Sequence, residues 1–558
     1  MVVSDSKSKV KVLLLDGDTT AIISMCTTQS VLLKHEIYLI DRIDNESRDK
    51  MRHLKCLIFV RPTADSIQSV IDELRAPKYG SYELFFSNVV KKSQLERIAE
   101  SDDHELVTRV QEMFADYLVV NRDLFSLSLE RPSIFGNRPD SWAEEALQRT
   151  VEGLVGLLLS LKHRPVIRHD RNSGMAKKLA NELSYTMNQP EGRQLFDFRN
   201  TDTPPILLIL DRRNDPVTPL LTPWTYQAMV HHILGIQNNR VDLSTVPDLP
   251  RDLTKEIVLS ADQDQFFAQS MFLNFGDLGA SIKDYVSHYQ AKTKSSSAIE
   301  SIADMKRFVE DYPEFRRLSG NVSKHVTVVN ELSRRVSADS LLQVSELEQS
   351  LACNDSHNSD LKSVQQLLGL PTVPDEAKVR LVALYALRYQ SHPNCATSQL
   401  IHQLPSPTEN GWLVRRLVDS YAGQNLRQEN LFESESFFAR AQSGFTKGLK
   451  GVENVYTQHT PLLQRTLTSL IKGKLKKSTH PYYDDGNLPP WAKQDESHSE
   501  RPQDIVVFTI GGVTYEEARL VAEMNATTKG VRVILGGTSI LNTQSFLSNL
   551  RNAFNKWE

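Results

Sequence analysis

The sequence predicts an α/β protein with a large, mostly helical insert: two parallel-sheet domains, the second discontinuous, and a helical domain between its halves. Three observations predict it. Short apolar runs alternate with helix-period segments over residues 1–130, and repeated βα units build a parallel sheet covered on both faces. A further apolar run, Ile206–Leu210, leads into a polar turn and a helical pattern over Trp224–Leu234. Two strand-like runs, Ile505–Ile510 and Val531–Leu535, return only after a long helical stretch. Two strands do not form a stable sheet alone. They are expected to join Ile206–Leu210, which makes the helical stretch an insertion.

Taken in order, Val10–Leu15 reads as a buried strand and Thr20–His35 as helix. Ile37–Ile40, Cys56–Val60 and Tyr82–Phe86 read as strands, with helices at Ile67–Leu74 and Gln94–Ala99. The first domain is placed at 1–130. The second takes 131–247 and 477–558, opening with a helix over 141–163, and the third takes 248–476, entered at Val246–Pro250 (VPDLP). Lys474–Gln503 is rich in proline and charge and has no period, so a mobile loop is expected there.

At 558 residues the chain is too long for one core. Its 65 basic and 69 acidic residues give a net charge of -4, which offers no electrostatic case for nucleic acid. Cys26, Cys56, Cys353 and Cys395 are widely spaced, which argues against a zinc site or a disulfide framework and for a reducing compartment. The first residues do not resemble a signal peptide, and the last four do not resemble a prenylation signal. No apolar run approaches the ~18 residues that span a bilayer, so work at a membrane would need recruitment by a partner.

Several segments invite a chemical reading. Asp16-Gly17-Asp18-Thr19-Thr20 follows a strand, as in Mg-dependent phosphatases that attack phosphorus through the first aspartate. The later strand ends, Arg61-Pro62-Thr63 and Ser87-Asn88, lack the acidic pair such enzymes need. Capping of the next helix by Asp18 or Thr19 is the simpler use. Gly511-Gly512-Val513-Thr514 follows a strand, but Thr514 and Glu517 have the spacing of a capping box. Gly536-Gly537-Thr538 reads the same way, and the Gly-Lys stretches at 446–451 and 473–477 miss the Walker spacing. His231 and His232 would point about 100° apart on a helix and make a poor metal pair. Asp211, Arg212, Arg213 and Asp215 read as an ion network that satisfies itself in preference to a binding site. No cofactor or metal is expected. The chain reads as a scaffold with binding surfaces.

Within the helical part, apolar residues recur at Ile299, Ile302, Met305, Phe308, Val309 and Tyr312. They resume at Phe315, Leu318, Val322, Val326, Val329, Leu332 and Val336. Pro313 between them is expected to break or kink the helix, at about 3 kcal/mol.

The longest distinctive segments are LLILDRRNDPVTPLLTPWTYQAMVHHILGIQNNRVDLS, VRLVALYALRY (Val379–Tyr389) and GVENVYTQHTPLLQRTLTSLIKGKLK (Gly451–Lys476). RPQDIVVFTIGGVTYEEARLVAEMN (Arg501–Asn525), VRVILGGTSILNTQSFL (Val531–Leu547) and the N-terminal KVLLLDGDTTAIISMC join them. Together they resemble the SM (Sec/Munc) family of vesicle-fusion regulators, in its vacuolar protein sorting branch. The resemblance implies a three-domain arch without enzymatic activity that binds a syntaxin-type SNARE and chaperones SNARE assembly at the trans-Golgi network and endosomes. It also implies a monomer, contact with tethering factors and attachment to membranes through the SNARE. By resemblance, a pocket for a short syntaxin N-terminal peptide falls in Leu106–Leu127, with Leu118 and Tyr117 as its floor and Val107 and Val110 as walls. A SNARE-templating hairpin falls at about 298–337, with Pro313 as its switch.

Overall fold

The computed structural model describes residues 10–129, 133–199, 203–247, 249–250, 253–297, 302–354, 356–422, 455–484, 486 and 502–557, with the backbone alone for 292–297 and 302–317. The Gly-Lys stretch at 446–451 and most of the loop after 484 lie outside the described residues.

The first unit runs β1 (Lys11–Leu15), α1 (Gly17–Cys26), α2 (Gln29–Lys34), β2 (Ile37–Arg42), β3 (Met51–Val60), α3 (Ala64–Arg75), β4 (Tyr79–Phe86), α4 (Lys92–Glu100) and β5 (Val107–Glu112). The strands form one parallel sheet in the order β2-β1-β3-β4-β5. All five residues of β1 are buried, because helices cover both faces of the sheet. The helical pattern at Thr20–His35 is two helices, since the Thr28 side chain accepts from Val31 N–H and starts α2 anew.

The second unit opens with β6 (Leu118–Asn121), β7 (Leu124–Ser126), α5 (Glu144–Leu161), β8 (Val166–His169), α6 (Gly174–Asn188), α7 (Pro190–Leu195), β9 (Ile206–Asp211) and α8 (Tyr226–Ile233). The helical insert then carries a small antiparallel pair, β10 (Arg240–Asp242) and β11 (Glu256–Val258). It continues through α9 (Gln265–Ser270), α10 (Phe275–Ser297), α11 (Ile302–Ala338), α12 (Leu341–Cys353), α13 (His357–Leu368), α14 (Asp375–Tyr389), α15 (Thr397–His402) and α16 (Pro407–Arg416). The chain returns through α17 (Leu462–Ile471) and ends with β12 (Asp504–Ile510), α18 (Tyr515–Thr527), β13 (Arg532–Gly537) and α19 (Thr543–Phe554).

The second sheet has the order β6-β7-β13-β12-β9-β8, parallel except for the β6–β7 pair. β12 lies beside β9 from Ile505↔Ile206 to Ile510↔Asp211, as the shortage of strands at the end of the chain requires. Two boundaries shift from those read in sequence. β6 and β7, inside 1–130, belong to the second sheet, where Leu124–Ser126 pairs with Leu535–Gly537. The change of sheet therefore falls between Glu112 and Leu118. α17, inside 248–476, packs Leu463, Leu467 and Leu470 against Ile206, Leu208 and Ile505 of the second sheet.

α11 is continuous through Pro313, so of the break or kink expected there the break does not occur. The apolar stripe keeps its phase from Tyr312 to Phe315, so one missing N–H interrupts the hydrogen-bond ladder without turning the apolar face away. The hairpin is formed by α10 and α11, which pack against each other, and not by two halves of 298–337. The beginning of the loop expected to be mobile is also fixed: residues 474–484 form a strap along the free edge of β8. His169 N–H donates to Pro481 O at 3.2 Å, and Tyr483 N–H donates to Ile167 O at 2.9 Å.

Candidate partner-binding site

The polar turn after β9 is closed upon itself. Arg212 is buried, and its guanidinium donates to Gly512 O at 3.0 Å and to Glu517 Oε2 at 2.6 Å. Arg213 donates to Asp211 Oδ2 at 2.6 Å and also meets Asp140. Asp215 accepts from Thr218 N at 3.0 Å and from Leu462 N at 3.2 Å, which ties α17 to the turn. Burial pushes the Asp211 and Asp215 carboxyls up, but Arg213 and Arg212 respectively outweigh it and hold both below the usual carboxylate range.

Glu517 is also half of a capping box: Thr514 N donates to Glu517 Oε2 at 2.9 Å, and Glu517 N donates to Thr514 Oγ1 at 3.3 Å. A Cβ on Gly511, at φ +94°, would stand 2.8 Å from Arg212 Cβ. The glycines thus let the end of β12 approach the arginine. The cavity beside this turn is only about 30 Å³, room for a water and no larger ligand.

Asp16 is likewise engaged. It caps α1 itself, in place of Asp18 or Thr19: Oδ1 accepts from Thr19 N at 2.8 Å, and Oδ2 accepts from Arg61 N at 2.7 Å and Ser66 Oγ at 2.8 Å. A carboxylate held at both oxygens is poorly placed to attack phosphorus. Among the described residues, no group of three His, Cys, Asp or Glu side chains could hold a metal. His231 and His232 fit no metal either. His231 Nδ1 accepts from Ile236 N at 3.0 Å, and burial pushes its pKa down to about 4.

An opening lies where the first sheet reverses its strand order, at the carboxyl ends of β1 and β3, the position where sheets of this kind hold ligands. It is a cavity of about 380 Å³. Its walls include Asp18 and Ile22 of α1, Tyr117 and Leu118, Leu127 and Arg149. Leu118 has its backbone in the second sheet, but its side chain packs with Leu13, Leu15, Ile22, Leu57 and Phe85 in the core of the first unit, 7% exposed. Tyr117 packs its ring edge-on to Phe125, and its hydroxyl meets Ser160 Oγ at 2.9 Å.

Val107 and Val110 do not join them. Both sit on β5, whose side chains alternate across the sheet. Val107 packs on the face of Val12 and Leu14, opposite that of Leu118, and Val110 is 48% exposed. A single stretch of sequence reads as one pocket, but the chain changes sheets within it.

Behind the cavity, Asp116 is completely buried between two arginines. Arg61 Nε lies 3.2 Å from one carboxylate oxygen, and Arg149 Nη1 lies 3.2 Å from the other. Arg61 also reaches Glu152 at 2.5 Å, and Asn88 donates to Asp116 Oδ2 at 2.9 Å. These groups come from β3, the β4 end, the connection and α5, so they join the two sheet units.

The α10–α11 hairpin is fastened to the body at a site that sequence reading missed. Asp264 Oδ1 caps α9 through Phe267 N at 3.1 Å. Its Oδ2 receives Lys324 Nζ at 2.5 Å and His325 Nε2 at 2.7 Å. On the other side of the ring, the Tyr226 hydroxyl donates to His325 Nδ1 at 2.7 Å. Burial pushes His325 down, which keeps the ring neutral with one donor and one acceptor nitrogen. The Asp264 carboxyl, despite burial, is held far below the usual range by His325 and Lys324. The available signal was a Lys-His pair in phase with the stripe between Val322 and Val329. Its partner Asp264 lies in another helix cap, which no period connects to it.

The sequence pattern of the Sec1 family matches residues 11–549. Vacuolar protein sorting-associated protein 45 of Schizosaccharomyces pombe is 50% identical over 546 residues, covering 97% of this chain and 95% of that protein. The Homo sapiens protein of the same name is 48% identical over 552 residues, covering 98% and 94%. A solved structure of the SM protein Vps45 in complex with the Qa SNARE Tlg2 (1-310) superposes with a TM-score of 0.90 at 55% identity, covering 100% of this chain and 96% of that one.

Proposed function

The chain belongs to the Sec1 family, and we propose that it binds a syntaxin-type (Qa) SNARE and chaperones SNARE complex assembly for vesicle fusion. The observation that carries this reading is the full-length likeness, at 55% identity, to an SM protein solved with its Qa SNARE bound. The activity is binding without turnover. Its place is the trans-Golgi network and endosomes, where the chain acts as a monomer with tethering factors and reaches the membrane through the SNARE.

Two surfaces divide the work. The cavity at Tyr117 and Leu118 takes an apolar side chain of the SNARE's N-terminal peptide, supported by the apolar part of its wall, Ala21, Ile22, Leu118 and Leu127, and by its place at the reversal of the first sheet. Val107 and Val110 do not line this cavity. The α10–α11 hairpin templates the SNARE helices. Pro313 leaves one helical carbonyl without its donor, a local weak point at which α11 can bend when a SNARE helix lies against it.

A pull-down with a Qa SNARE, full length and lacking its N-terminal peptide, tests the reading. Both forms should be retained, the shorter one more weakly. Retention of neither rejects it.

A further inference from the structure

The strap that follows α17 displays a row of cations that the reading above does not use. α17 ends at Gly473, φ +67°. Gly473 N–H donates to Leu470 O at 2.9 Å and Lys474 N–H to Ser469 O at 2.7 Å, the double closure of a Schellman end. Beyond it the side chains alternate. Ile471 and Leu475 pack against the second core, while Lys472, Lys474 and Lys476 face solvent. Among the described residues, none of these three lysines has an ion-pair partner. Lys477 turns the other way, over the Tyr482 ring at 5.6 Å.

The backbone beneath is held firmly. Arg168, itself buried, donates to Leu475 O at 2.9 Å and to His480 O at 2.7 Å, and its guanidinium lies 4.7 Å from the centre of the Tyr482 ring. His480 Nε2 meets Asp170 at 2.9 Å, and the Tyr483 hydroxyl donates to Asn181 at 2.6 Å. Arg171, also exposed, borders the strap by donating its N–H to Thr479 O at 2.9 Å. The strap's carbonyls are therefore drawn inward and its ammonium groups are presented outward, from a fixed backbone, on a chain whose net charge is -4.

We propose that the strap at 472–476 is a docking surface for the anionic headgroups of a membrane. Lysines are compact, strongly hydrated point charges on flexible stems. They suit a fluid field of phosphates better than the fixed geometry of a protein partner, and no large apolar side chain is exposed among them to anchor one. No described helix is long and apolar enough to cross a membrane, so a surface contact of this kind adds direct attachment to whatever a SNARE provides. Each lysine near an anionic surface strengthens attachment about fivefold, so three give about a hundredfold.

The test is flotation of the full chain with SNARE-free vesicles, either phosphatidylcholine alone or rich in phosphatidylserine. The chain should float with the phosphatidylserine vesicles at about 0.1 M salt and be released at about 0.5 M, where the Debye length has more than halved. K472Q/K474Q/K476Q should lower the association about a hundredfold, and K472E/K474E/K476E, which adds repulsion, should lower it further. Both variants should still retain a Qa SNARE in the pull-down, which separates loss of lipid contact from loss of fold. Absence of flotation, equal flotation on both lipids, or variants that float like the parent chain overturns the proposal. None of those outcomes bears on SNARE binding, which the pull-down reads by itself.

Discussion

Leu118 carries two duties, and its burial changes what a substitution there should do. From sequence, Leu118→Arg is expected to weaken peptide binding and leave the fold intact. At 7% exposure within the core of the first unit, an arginine would bury an unpaired charge. Leu118→Ala is the cleaner probe: it should cost about 2–5 kcal/mol of stability and widen the cavity, measured as a fall in unfolding midpoint alongside peptide affinity. Arg212 and Glu517 form a buried pair 2.6 Å apart. Glu517→Ala leaves the buried guanidinium only Asp215, at 3.8 Å, as its carboxylate partner and removes half of the capping box, and should cost about 3–5 kcal/mol in a denaturant titration.

The buried histidines set the response to acid. The folded pKa of His231, about 4, lies below its ordinary value of 6.5, so the unfolded chain binds more protons between those two values. Stability from this group is complete above about pH 6.5 and declines as pH falls toward 4, by about 2 kcal/mol at pH 5. His169, His232 and His325 are depressed in the same direction by burial. The unfolding midpoint should drop between pH 7 and pH 5, and a midpoint flat across that range would contradict the buried, neutral state of these rings.

At the scale of elements, sequence period served well wherever one face decided the structure. The strands at Cys56–Val60, Ile206–Leu210 and Ile505–Ile510 and the helix within 141–163 stand where their apolar patterns put them. The capping box of α18 was legible because both of its members lie within one turn. Period failed for β5–β7, since edge strands and short hairpins carry mixed burial: β5 alternates between partly buried and exposed residues with no continuous apolar face. At Pro313 the helix does not break, because an unbroken stripe outweighs one lost hydrogen bond. Pro313→Ala should therefore leave the helix content unchanged by circular dichroism. It should restore a donor to the preceding turn and slow amide exchange around 309–313, and slower SNARE assembly would tie that weak point to function.

At the scale of the whole molecule, Asp116 joins the first sheet unit to the second through Arg61 and Arg149. Asp116→Ala leaves two largely buried arginines without their shared carboxylate. It should cost about 3–5 kcal/mol and loosen the connection at 113–117, seen as faster limited proteolysis there than in the interior of either sheet. Arg61 and Arg149 of this joint also line the crevice where sheets of this order often bind small ligands, which is the proposed peptide cavity.

Apolar periods and long matched segments were enough to give the α/β class, the inserted helical unit, the return of the last strands to Ile206–Leu210 and the family. Which residues share a site emerged only from the folded chain. Leu118 reaches the first core from a strand of the second sheet, Arg212 meets Glu517, and Lys324 and His325 meet Asp264. Each of these meetings depends on chain segments brought together by packing, and local spacing carries no record of the partner.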